Sequence, residues 1–104
     1  METEQAAAGF AAMGAAHRLD VLRHLVKAGE AGLQVGDLIS RSGIAASTMA
    51  HHLKALHGAG LITQERQGRA TINRAHYSHL EALAGFILEE CCVESVDAEG
   101  RKHG

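Results

Sequence analysis

Proline is absent from this chain, aromatic residues number three (Phe10, Tyr77, Phe86), and the only two cysteines stand side by side as Cys91 and Cys92. Without proline, punctuation falls to glycine, and Gly29, Gly32, Gly43, Gly58, Gly60 and Gly68 mark the stops and turns. Few aromatics, with much of the apolar share supplied by alanine, leave little area to bury, so a thin helical core completed by a partner chain is expected. No apolar run approaches the roughly 20 residues of a membrane span. The N-terminal METEQAAAGF has no basic region ahead of an apolar stretch, so no signal peptide is expected. Neighbouring thiols in a chain without a signal read as reduced, and the expected location is the cytoplasm.

What is present fits one domain. At 104 residues and 46% apolar composition the chain can build a single modest core and is not a disordered tail. Residues 1–95 are assigned to that domain and the polar 96–104 to a flexible tail. The net charge of −2 hides a segregated distribution. Between Arg41 and Arg74 lie Arg41, Lys54, Arg66, Arg69 and Arg74 against the single acid Glu65, whereas Glu81 to Glu99 holds only acids. A basic middle of this kind is the electrostatic footprint of a small nucleic-acid reader.

Periodicity supplies the architecture. Residues 3–14 read as an alanine-rich helix and 16–28 as a second, with Leu19, Leu22, Leu25 and Val26 as its apolar stripe. Val35, Leu38 and Ile39 indicate a short third helix, and Met49, Leu53 and Leu56 the core side of a fourth that stops at Gly58–Gly60. Two short helices across a turn containing Gly43 have helix-turn-helix spacing. The period then changes: Leu61–Arg66 and Arg69–Asn73 read as strands around a Gln67-Gly68 turn. A helical pattern resumes from His76 through Leu80, Leu83 and Ile87. The order predicts a mainly α fold with a β-hairpin wing (α+β): a winged helix-turn-helix. Nothing predicts an enzyme, because no nucleophile, base and orienting group fall at a recognisable spacing and no glycine loop for phosphate is present.

The segments HRLDVLRHLV, LQVGDLISRSGIAASTMAHHLKALHGAGLI and ERQGRATIN resemble the ArsR/SmtB family of winged-helix repressors over most of the chain. The resemblance implies a homodimer built through the first and last helices. It implies binding to a double-stranded, imperfectly palindromic operator, with release when a ligand or oxidant reaches a sensor site. On the fourth helix Ser47, Thr48, His51 and Lys54 project away from the Met49, Leu53, Leu56 stripe and are candidate DNA contacts. His52 is a further candidate, with support of the core as its alternative role. At the wing tip Arg66, Gln67 and Arg69 can follow the backbone or enter a minor groove. Arg18, Arg23 and Arg41 have weaker claims and balance acids on their own helices. Where the family usually begins this helix with Ser or Thr, this chain has Ala45.

The sensor is sought among the family's known positions. Its thiol site at the third helix would fall on LQVGDL, where Gln34 and Gly36 stand instead. Its zinc pattern on the last helix, D-x-H-x10-H-x2-[EH], falls on Tyr77, His79, Glu90 and Val93, of which only His79 is the expected residue. The remaining candidate is the pair Cys91 and Cys92, which resembles the Cys-Cys pair of the family's arsenic-responsive group, although the third cysteine typical of that group is missing. No cofactor is expected for folding, and arsenite or antimonite is the expected inducer. Adjacent side chains diverge by about 100° on a helix, so the two sulfurs converge only if the helix ends there. The surrounding acids disfavour a reactive thiolate. Thiol redox or persulfide sensing therefore ranks second, and a winged helix serving protein–protein assembly without sensing remains open.

Overall fold

The computed structural model describes residues 1–95 and shows a winged helix-turn-helix. The tail assigned to 96–104 lies outside the described residues. Helices α1 (Thr3–Ala12), α2 (Ala16–Ala28), α3 (Val35–Ser42) and α4 (Ala46–Gly58) precede strands β1 (Ile62–Gln67) and β2 (Ala70–Ala75), and α5 (Tyr77–Leu88) closes the order. A single 3-10 turn, Gly29–Ala31, follows α2. None of these helices is long and apolar enough to cross a membrane.

Leu25, Leu38, Met49, Leu56, Leu61, Ile62 and Leu83 are the large side chains sealed in the core, which draws on every helix but α1 for its bulk. Helix α1 buries only Ala6, Gly9 and Ala12, with Phe10 half-buried against the edge of the core. Its approach to α5 is correspondingly close: a Cβ on Gly9 would lie 2.8 Å from Leu83 Cδ1. The α2 stripe differs from the expected one. Val21, Leu22 and Leu25 face inward, whereas Leu19 and Val26 are exposed. The stripe is rotated because Arg18, one turn before Val21 and Leu22, occupies the inner side near the N-terminus of the helix.

In α3, Asp37 accepts the Gln34 backbone N–H at 2.9 Å, which occupies one of the donors that a helix start leaves without an intrahelical partner. Gly43 ends the helix at φ 74, the left-handed conformation that costs glycine nothing. Helix α4 starts without such help, since Ala45 has no side chain able to accept a bond from its first turn.

The hairpin pairs Ile62 with Ala75 through to Gln67 with Ala70, so its tip is Gly68-Arg69, one residue later than the sequence suggests. Gly68 at φ 65 fits the first central position of a tight hairpin turn. Leu33 adds an isolated antiparallel bridge to Asn73, whose side chain is wholly buried. There the Asn73 amide donates to the Leu33 carbonyl at 3.1 Å, and its oxygen accepts from Gln64 at 2.9 Å. Gly32 lets this strand edge approach, because a Cβ there would lie 2.6 Å from the Asn73 carbonyl oxygen.

Candidate nucleic-acid interface and sensor site

Burying Met49, Leu53 and Leu56 turns the other side of α4 outward, and Ser47, Thr48, His51 and Lys54 are all exposed there. They form one polar strip: short hydroxyls at the helix start, then an imidazole, then an ammonium one turn later. At the wing, Arg66, Gln67 and Arg69 are exposed as well. The Arg66 guanidinium reaches back to the Gly68 carbonyl at 3.4 Å, and the Gln67 amide donates to Glu65 at 3.2 Å. Arg74 is committed elsewhere, pairing with Glu65 at 2.7 Å and donating to the Glu30 carbonyl at 2.6 Å. Hydrogen bonds from Arg74 and then from Gln67 hold the Glu65 carboxyl below its ordinary range. Glu65 is thereby spent within the hairpin, and Arg66 and Arg69 keep the tip basic.

His52 does not join this strip. It is buried, and its Nδ1 accepts from Arg18 Nε at 3.4 Å, so the imidazole is neutral with its proton on Nε2. Arg18 also donates to the Ala12 carbonyl at 3.2 Å. One side chain of α2 therefore ties the end of α1 to the middle of α4. Burial first, then the charges of Arg18, His51 and His17, push the His52 imidazole below its ordinary value. Its candidacy for DNA contact is withdrawn on this geometry: the residue supports the helix from behind. Sequence reasoning gave Arg18 only a weak claim to DNA and the role of balancing acids on its own helix; its inward role depends on partners outside α2.

After Leu88 the chain leaves helical geometry. Cys91, Val93 and Ser95 donate backbone N–H groups to the carbonyls three residues earlier, in successive tight turns. Cys92 is the one non-glycine residue with positive φ among the described residues, at 61°. That left-handed step costs roughly 1–2 kcal/mol for a residue with a Cβ. It swings the second thiol towards the first, and the two sulfurs lie 3.3 Å apart, Cys91 exposed and Cys92 half-buried. The Cys91 hydrogen bond, then burial, then the neighbouring sulfur's charge raise the Cys92 thiol above its ordinary value. The positions of the zinc pattern are used differently. Tyr77 donates to the Val26 carbonyl at 3.0 Å, and His79 stacks on His76 at 5.7 Å between ring centres. No group of three or more His, Cys, Asp or Glu side chains gathers for a metal among the described residues.

A family profile described as a helix-turn-helix domain matches residues 13–65. Among solved structures, an ArsR-like transcriptional regulator from Rhodococcus sp. RHA1 is 30% identical, with a TM-score of 0.74 over 88% of this chain and 82% of that one. The chain belongs to the ArsR-like transcriptional regulators. A second ArsR family regulator, 23% identical with a TM-score of 0.76 over 93% of this chain and 98% of that one, shares its fold. A third structure is the homodimeric winged helix-turn-helix DNA-binding domain of a possible ArsR-family regulator from Mycobacterium bovis. It is 25% identical, with a TM-score of 0.66 over 85% of this chain and 82% of that one. No curated protein sequence matches. Within this ArsR-like fold, the exposed strip on α4 and the basic wing tip lie on the two elements that a winged helix offers to a duplex.

Proposed function

We propose that this chain is a cytoplasmic repressor that binds operator DNA as a homodimer and lets go when trivalent arsenic or antimony binds Cys91 and Cys92. Ser47, Thr48 and His51 of α4 read the major groove, Lys54 holds a phosphate, and Arg66, Gln67 and Arg69 grip the flanking backbone or minor groove. The sulfur separation of 3.3 Å carries the sensing part of the reading, because a pyramidal thiophilic ion needs two thiolates on one side of it. Two sulfurs leave the third coordination position to water, hydroxide or a small thiol. Ligation must displace protons, and the raised Cys92 thiol means that the ion, rather than a standing thiolate, drives the deprotonation.

Release follows from dimer geometry. The two recognition helices must sit about 34–36 Å apart to enter successive major grooves. Helix α5 lies at the proposed dimer interface, so refolding of the turn at its end changes the angle between protomers and withdraws several contacts together.

The test is fluorescence anisotropy against the chain's own upstream duplex. Arsenite should weaken binding by at least about tenfold, and a Cys91→Ser, Cys92→Ser protein should bind as tightly with arsenite as without. Arsenite-driven release of that double variant would move the sensor elsewhere. The same close sulfurs favour a second reading, oxidation to a disulfide or polysulfide. That reading predicts release by peroxide or persulfide and retention in arsenite.

A further inference from the structure

A cleft of about 280 Å³ opens on the side of α2 away from the core. Asp20, Arg23, His24 and Lys27 line it from α2, and Arg41 and Ser42 line it from the end of α3. The α2 residues follow the three- and four-residue steps that bring side chains onto one helix face. Ile44 closes the cleft two residues before α4 begins. The expectation that Arg23 and Arg41 balance acids on their own helices does not describe this arrangement. The one ion pair among the described residues is Arg74 with Glu65. Neither Arg23, Lys27 nor Arg41 donates a side-chain hydrogen bond there, yet all three converge on one concavity from two helices.

The chemistry of the lining selects its occupant. Arg23, Lys27 and Arg41 outweigh Asp20 by two charges. Guanidinium groups present forked donors suited to oxyanions, and an ammonium adds a compact third charge. A phosphate monoester brings about −1.5 to −2 at neutral pH and three acceptor oxygens. A duplex phosphodiester brings one charge and arrives on a rod rather than into a pocket. We propose that this cleft binds a small phosphate monoester, a second ligand site separate from the cysteine pair and from the α4 strip. The volume leaves room for an organic group beside the phosphoryl, and Ile44 offers it apolar contact.

Occupancy would be felt at the turn that launches α4. Ser42 Oγ donates to the Leu38 carbonyl at 2.7 Å and accepts the Ile44 N–H at 3.1 Å, so it ties the end of α3 to the approach of α4. Because Ala45 supplies no cap, the start of the recognition helix depends on that turn. A ligand pulling Arg41 and Ser42 towards α2 therefore acts on DNA affinity from outside the interface.

Phenyl phosphate is a suitable probe, with diphenyl phosphate as the singly charged diester control. Amide NMR of the full chain should give saturable shifts at Arg23, Lys27, Ser42 and Gly43 with the monoester, and binding of the diester should be weaker. Arg23→Gln and Arg41→Gln, both surface changes, should each weaken monoester binding about tenfold or more while the remaining amide spectrum stays folded. Non-saturating shifts, or monoester binding by both variants as tight as the parent's, would overturn the proposal. So would an outcome in which the monoester fails to bind and each variant lowers the salt dependence of duplex binding by about one phosphate contact. In that case the cations seat the DNA backbone.

Discussion

A histidine on a DNA-reading helix invites assignment to the bases, and at His52 burial decides against it. Its folded imidazole sits below its ordinary 6.5. Above that pH both folded and unfolded chains hold the group neutral, and its contribution is level. As pH falls through 6.5 the unfolded chain takes up a proton that the fold resists, so stability is lost until the folded group titrates too. His52→Gln removes the titration while keeping an acceptor for Arg18. The urea midpoint of the parent should fall more steeply between about pH 7 and about pH 5 than that of the variant, and equal slopes would remove His52 from the linkage. Asn73 is the other residue whose role only the structure shows. Asn73→Ala strips its amide from the Leu33 carbonyl and from Gln64 inside the base of the wing, and should cost about 1–3 kcal/mol in urea denaturation. Nothing in the strand pattern of ATINRA distinguished this asparagine from a surface residue, because its partner Leu33 lies 40 positions away.

At the scale of elements, local signals were reliable and partner-dependent ones were not. The glycine stops and the change of period at Leu61 place the first two helices and both strands within a residue or two of their observed bounds. The outward direction of Ser47, Thr48, His51 and Lys54 follows from the Met49, Leu53, Leu56 stripe. What could not be read was the rotation of α2, since Arg18 turns inward only because His52 and the Ala12 carbonyl await it. The convergence of the two thiols was legible as a condition, a helix ending at the pair, and the positive φ of Cys92 supplies it. The missing cap on α4 was legible outright. Ala45 already has the extended backbone a cap requires, φ −63 and ψ 152. Ala45→Ser should therefore stabilise the fold by about 0.5–2 kcal/mol, measured by chemical denaturation. Hydrogen exchange should slow at the first-turn amides of α4 and remain unchanged in α2. A gain spread evenly over the chain would point to a cause other than capping.

For the molecule as a whole, the thin alanine-rich core has an outer consequence. Helix α1 meets α5 through small residues, and the last turn of α5 leaves Ile87 and Leu88 exposed at 65% and 64%. Both sit within five residues of the thiol pair, so the surface that would join two protomers and the proposed sensor are neighbours along the chain. Burying a side chain of this size contributes about 1.5–3 kcal/mol. Replacing both in each of two protomers thus removes on the order of 6 kcal/mol or more from a dimer built on α5. Ile87→Glu, Leu88→Glu should sediment as a monomer at concentrations where the parent is a dimer. It should retain the parent's far-ultraviolet circular dichroism, because neither side chain is sealed in the core of one protomer. Its affinity for a two-half-site duplex should drop towards that for a single half-site. Arg69→Gln serves as the counterpart, losing affinity for both duplexes while remaining dimeric. If the doubly acidic variant stays dimeric, the protomers join elsewhere, and the route from Cys91 and Cys92 to the recognition helices cannot run through α5.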